Sequence, residues 1–306
     1  MSTLVPPLFD GLVDDASVFP PGLAPLPEAV AAHRLHRAAW YASFVGPLLV
    51  PASGVAALVS VLDGQPGSGR PGRITTDTTP AGGDLADVSI VGLIGDTGVD
   101  ALPAALEQAR AAGLTVRQVE VAVAKRGEDP QPGLAALREL ATAEPGLDVY
   151  AEIPLTWGLL AALDTVAGDR AGGLRIAPKF RTGGLAAELF PTPVELAAVI
   201  CACNDRSLPF KLTAGLHHAV RHTDPETGFT HHGFLNVLAA AALAVEGAEI
   251  AEVAELLAAT HPLTLVESAR ARRDDPRPLW IGFGSCSVLE PLADLIRFGL
   301  INGSVE

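Results

Sequence analysis

LDVYAEIPLTWGLLAALDTVAGDRAGGLRIAPKF, residues 147–180, reads as a strand, a helix and a second strand. LDVYAEIPL (147–155) and GLRIAPKF (173–180) are short apolar runs bounded by Gly and Pro. The Ala- and Leu-rich stretch between them, 157–168, is made of helix formers. A helix connecting two such strands implies that they lie parallel in one sheet.

The same unit recurs outward in both directions. Upstream lie LTVRQVEVAVA (114–124) with a helix at 133–143, and ADVSIVGLIG (86–95) with a helix at 99–112. SFVGPLLVPAS (43–53) precedes a helix near 54–63, and a short strand within LFDGLVDDAS (8–17) precedes a helix from Pro27 to Trp40. Downstream, a helix at 192–204 leads to LPFKLTAG (208–215), then helices at 233–246 and 250–259 and an Arg-rich 267–278 that reads as helix or loop. PLWIGFGSCS (278–287) is the last strand and 289–301 the last helix. Eight strands, each followed by a helix, give an α/β fold, a single-domain (β/α)8 TIM barrel spanning 1–306. Without the first strand the count is seven, and an open doubly wound sheet becomes the alternative. Two long loops interrupt the pattern, at 64–84 and 216–232.

Composition narrows the partners. A net charge of −14 and a pI near 4.9 argue against nucleic acid, which needs a basic face. No apolar run approaches a membrane span. Three cysteines, Cys201, Cys203 and Cys286, with no recognisable signal peptide, lead to the expectation of a reducing cytoplasm. Cys201 and Cys203 fall two apart in a helix and so do not share a face.

Three lysines stand against eighteen arginines. That usage fits the codon bias of a GC-rich genome, but the places of the lysines are informative. Lys125 falls beyond its strand beside Arg126 and reads as a surface residue. Lys179 ends the sixth strand between Pro178 and Phe180, and Lys211 lies on the seventh between Phe210 and Leu212. Glu120 on the fourth and Glu152 on the fifth are flanked in the same way by apolar residues. Strand alternation turns those neighbours toward the helices and the four charges toward the barrel interior, at the carboxyl end where barrel active sites lie. A lysine, unlike an arginine, can lose its proton and attack a carbonyl. Burial and a second ammonium both lower a lysine pKa, so Lys179 is expected to be a depressed-pKa nucleophile, with Lys211 perturbing it and the carboxylates moving protons.

Other residues join these. Gly284, Ser285 and Ser287, in a Gly/Ser turn before the last helix, and Arg181, Thr182 and Gly183, after Lys179, are placed to bind an anionic part of a substrate. Cys286 has no base positioned for it in the sequence and reads as a small buried thiol. Asp10, Asp14 and Asp15 near the first strand are further candidates, with Asp10 read as part of a solvated loop. Five of eight histidines lie at 217–232. His217 and His218 would overhang the barrel mouth as substrate-binding groups, and the cluster His217–His232 also leaves open a metal-dependent hydrolase or lyase. A third reading is a non-catalytic binding barrel whose charges only pair.

Lys179-Phe180-Arg181-Thr182-Gly183 matches a K-x-x-T-G motif, Lys211-Leu212-Thr213-Ala214-Gly215 is a second lysine followed by glycine, and Gly284-Ser285-Cys286-Ser287 is similar in spacing to a G-T-S-S phosphate site. In this order the chain resembles the deoxyribose-phosphate aldolase group of class I aldolases, which are (β/α)8 barrels. The resemblance implies a Schiff base on Lys179, perturbation by Lys211 and a proton shuttle at Glu120, where that group has Asp. Leu216-His217-His218 departs from the group after the second lysine. The expectation is therefore a bacterial, cytoplasmic class I lyase acting without a cofactor or metal on a small carbonyl or anionic substrate, with homo-oligomerisation left open.

Overall fold

The computed structural model describes residues 5–64 and 90–304. The strands, in chain order, are β1 (Val13–Asp15), β2 (Val45–Pro51), β3 (Ile90–Ile94), β4 (Thr115–Ala122), β5 (Asp148–Glu152), β6 (Ile176–Arg181), β7 (Phe210–Thr213), β8 (His222–Thr223), β9 (Thr230–His231) and β10 (Trp280–Ser285). Eight of them close into a barrel in the order β1-β10-β7-β6-β5-β4-β3-β2, and every pairing in it is parallel. The helices are α1 (Leu26–Ala38), α2 (Val55–Asp63), α3 (Leu102–Ala111), α4 (Gln131–Ala143), α5 (Leu159–Ala171), α6 (Pro193–Asp205), α7 (Phe234–Val245), α8 (Ile250–Ala258), α9 (Pro262–Ala271) and α10 (Leu289–Arg297). The chain is a (β/α)8 TIM barrel.

Closure rests on β1, which pairs with β10 through Val13↔Phe283, Asp14↔Gly284 and Asp15↔Ser285, and with β2 through Val13↔Val45 and Asp15↔Leu48. That excludes the open sheet. β1 is shorter than the apolar stretch around it because Pro7–Phe9 form a 3-10 turn and Gly11 takes a left-handed φ of 56°.

Alternation along each strand divides the molecule into two cores. Val119, Val121, Phe180, Phe210 and Phe283 point outward and are buried under the helices. Phe283 stacks on Phe234 of α7 at 6.0 Å and on Trp280 at 5.6 Å. Local signals set the helix starts. Thr192 and Glu195 form a capping box in front of Pro193 on α6. His261 accepts the Leu263 N–H ahead of Pro262, which starts α9 at 262, upstream of the Arg-rich segment.

The connection from β7 to β10 is the longest described. The 216–232 segment, expected as loop, contains the antiparallel hairpin β8–β9, with His222 opposite His231 and Thr223 opposite Thr230. Asn236, fully buried on α7, fixes it by accepting the Arg221 N–H and donating to the Leu256 and Ala259 carbonyls at the end of α8. The expected 64–84 loop, apart from Gly64, and the first residues of the 86–95 segment lie outside the described residues. Among the described residues, no helix is long and apolar enough to cross a membrane.

Candidate active site

β4 sends Gln118 and Glu120 into the barrel while Val119 and Val121 face the helices, and Glu120 is 1% exposed. The parallel register carries the charge around the barrel wall. Ala122 is paired with Glu152, Glu152 with Lys179, and Lys179 with Lys211. The Lys179 ammonium donates to Glu120 Oε2 at 2.7 Å and to Glu152 Oε2 at 2.8 Å. The Lys211 ammonium donates to Glu120 Oε1 at 2.6 Å and to Asp14 Oδ2, and lies 4.5 Å above the Tyr150 ring. Gln118 Nε2 donates to Asp14 Oδ2 at 2.7 Å and Glu120 Oε1 at 2.9 Å. Arg181 closes the outer end, with Nε and Nη2 both 3.1 Å from Glu152 Oε1. Three carboxylates therefore face three cations in a continuous chain, the arrangement under which buried charge is tolerated.

Asp14 and Gln118 are the members that strand parity did not single out. β1 has only three residues, Val-Asp-Asp, with too few apolar positions to show which aspartate faces inward. Asp14 joins the lysines, whereas Asp15 accepts from the Ser17 N–H and lies 3.0 Å from the Nδ1 of buried His33. Space for the long polar side chains comes from glycine on the facing strands. A methyl at Gly46 would overlap Asp14 Oδ1, and one at Gly92 would lie 2.9 Å from Gln118 Cγ.

The electrostatics correct one sequence expectation. Burial acts to lower the Lys179 pKa, but the charges and hydrogen bonds of Glu120 and Glu152 outweigh it and raise it above its ordinary value. Lys211 is raised as well, because Asp14, Glu120 and Tyr150 overcome its burial. Glu120, despite burial, is pulled down to about 2 by the two ammonium groups. Asp14 moves the other way, since burial and the Glu120 charge exceed what Lys211 returns. Two lysines on adjacent strands do not free an amine here because carboxylates reach them directly. At rest both are ammonium ions.

A cleft of about 270 Å³ opens beside this network, lined by Arg126, Glu152, Pro154, Arg181, Phe190 and Glu195 among others. Its wall includes Glu152 but not Lys179, which lies behind that carboxylate and is 3% exposed. Thr182, expected to meet substrate, is fully buried and donates to the Ala214 carbonyl at 2.6 Å, fastening the end of β6 to the turn after β7. Gly183 serves the same junction, since a side chain there would come within 3.1 Å of Gly215 Cα.

The Ser285 hydroxyl donates to the Ser287 carbonyl within the turn, and the Ser287 hydroxyl accepts the Glu290 N–H in the first turn of α10. Gly284 lies between Asp14 and Thr213 in register. Three of the five histidines, His218, His222 and His231, pack on one another, while His217 and His232 are held by other groups. His217 meets Glu290 and Cys286, His218 meets Asp294 and the edge of His222, His231 stacks on His222, and His232 lies 2.7 Å from the Pro191 carbonyl. Among the described residues no group of three or more His, Cys, Asp or Glu side chains could hold a metal ion. Cys286, read as a thiol without a base, has His217 Nε2 3.6 Å from its sulfur. Sequence spacing could not reveal that contact, which joins residues 69 positions apart through the path of the β7 loop.

The fold and the buried network together define a (β/α)8 barrel with a polar interior at the end where such barrels carry out chemistry. No family model matches the chain, and neither a curated protein nor a solved structure does.

Proposed function

We propose that the chain is a carbon–carbon lyase of the Schiff-base type, similar to the deoxyribose-phosphate aldolase group, acting on a small carbonyl compound. The observation that carries this reading is one carboxylate, Glu120, accepting from both lysines at 2.6 and 2.7 Å in an interior almost closed to water. Perturbed ionisable groups packed together at the mouth of a barrel are the usual setting of acid–base chemistry.

Lys179 is the nucleophile in this scheme because Glu152, its second partner, borders the cleft. A carbonyl compound entering there takes the place of a carboxylate beside Lys179. Nζ passes a proton to Glu120 or Glu152 and forms the C–N bond, and the carbonyl oxygen departs as water. The cationic imine then draws the electron pair of the Cα–Cβ bond as a carboxylate takes the proton of the β-hydroxyl, so that the second fragment leaves as a carbonyl compound. The enamine left behind is reprotonated on carbon by the same carboxylates, and water hydrolyses the imine to free Lys179. Lys211, pinned by Asp14 and Glu120, stays charged and holds Glu120 as the anion that receives the proton.

Borohydride reduction in the presence of a panel of small aldehydes and ketones tests the reading. A covalent adduct on Lys179, lost in Lys179→Met, is expected. An unmodified Lys179 across the whole panel, in folded protein, would instead favour a barrel in which the charges only pair.

A further inference from the structure

Outside the lysine network, a second group of reactive side chains meets at the same end of the barrel. Cys286 follows β10, His217 lies in the loop after the neighbouring β7, and Glu290 stands in the first turn of α10. The Cys286 sulfur is 3.6 Å from His217 Nε2, and His217 Nδ1 is 2.7 Å from Glu290 Oε2. This is the order nucleophile, base, orienting carboxylate. With Nδ1–H donated to Glu290, Nε2 is the nitrogen left to take a proton from the thiol. The His217 side chain is 22% exposed and that of Glu290 50%, and Cys286 is not fully buried, so the group borders solvent.

The surroundings single out this thiol from the other two. The Cys286 contact raises the His217 pKa to about 9; burial opposes the rise and Glu290 adds to it. Cys201 has its thiol pKa raised by burial and by Asp205 and Glu249. Burial raises that of Cys203 further still. Cys286 has a histidine nitrogen 3.6 Å from its sulfur and lies just ahead of the amino terminus of α10, so a base stands ready to take its proton.

We propose that Cys286, His217 and Glu290 form a second reactive centre, a thiol nucleophile that accepts the acyl group of a small activated ester or thioester. The Cys286 S–H proton passes to His217 Nε2 as the sulfur bonds to the carbonyl carbon. The bond to the alcohol or thiol leaving group breaks, and that group departs with the proton from His217. Water, giving a proton to His217, adds to the resulting thioester, the C–S bond breaks, and the proton returns to the sulfur. Cys286 and His217 touch the reacting atoms, and Glu290 is a positioning residue.

The test uses p-nitrophenyl acetate with the full chain, reading nitrophenolate release and the acetyl mass on the peptides that carry Cys286 and Cys201. Cys286 is expected to acylate at least about tenfold faster than Cys201. His217→Gln should slow it about 10²-fold, as loss of a general base does. Glu290→Gln should slow it less, with Glu290→Asp restoring the rate. A Cys286 rate no greater than that of Cys201, or an unchanged rate in folded His217→Gln, overturns the proposal. Should His217→Gln not fold, the comparison of Glu290→Gln with Glu290→Asp, at a half-exposed site, decides it, and equal rates in those two variants count against the centre.

Discussion

Glu120 divides its carboxylate between two strands, Oε1 on Lys211 and Oε2 on Lys179. Neither lysine has a substitute for it, because their remaining partners, Asp14 and Glu152, lie on opposite sides of the barrel wall. Glu120→Gln keeps the shape and removes the charge. Two buried ammonium ions then face two carboxylates, one of which, Asp14, already has its pKa raised. Removing one member of a buried ionic group costs about 3–5 kcal/mol. Urea unfolding at neutral pH should show a loss of that order, and the pH at which Lys179 becomes reactive to a carbonyl compound under borohydride should fall, since the anion that holds its proton is gone.

Acid should weaken the fold in two separable steps. His232 is buried, with Arg221 donating toward Nδ1 at 3.3 Å and Nε2 set against the Pro191 carbonyl, so it is held neutral, and burial lowers its pKa from 6.5 to about 4. A depressed folded-state pKa gives stability that is complete above 6.5 and lost as the pH falls through about 4, roughly 3 kcal/mol for a shift of this size. Glu120, lowered from 4.5 to about 2, gives a similar contribution present above 4.5 and lost on the way down to about 2, while the raised pKa of Asp14 works against it there. Denaturation midpoints measured from pH 7 to 3 should therefore fall below 6.5 in the wild type. In His232→Gln they should stay flatter until the carboxylates titrate.

The four charges on β4, β5, β6 and β7 were legible in the sequence because a period of two is enough to place them once the strands are recognised. The sign of the lysine shifts was not. It depends on which oxygen lies within 3 Å of which nitrogen, and a strand pattern gives only the face. Asp14 was obscured by the brevity of β1, Gln118 by its lack of charge, and the His217–Cys286 contact by a loop whose path no local pattern records. The Gly/Ser turn at the end of β10 announced a helix start and equally an anion site, and its hydroxyls are engaged with the Ser287 carbonyl and the Glu290 N–H.

Gly46 offers a test of how tightly the interior is fitted. It lies on β2 beside the Asp14 side chain, and a methyl group would overlap Asp14 Oδ1. Gly46→Ala must push that carboxylate away from Lys211 or move the strand, and overpacking of this kind costs about 1–3 kcal/mol. The cost should shrink in an Asp14→Ala background, where the obstructing oxygen is absent. A double-mutant cycle by urea unfolding checks this, and additive effects would mean that the two residues do not share the space.

Thr182 separates a structural from a ligand-binding reading of the K-x-x-T-G motif. Its hydroxyl donates to the Ala214 carbonyl at 2.6 Å, and Ala214 itself takes a left-handed φ of 65°. Such a conformation is unfavourable for a residue with a Cβ by about 1–2 kcal/mol and needs an external hold. Thr182→Val keeps the volume but removes this donor from the Ala214 carbonyl, and the loss of such a hydrogen bond costs about 0.5–1.5 kcal/mol. Calorimetry without any ligand should show a clear fall in Tm for Thr182→Val and little change for Thr182→Ser, which retains the hydroxyl. A valine variant as stable as the wild type would release Thr182 from this junction and return it to the set of groups available to a substrate.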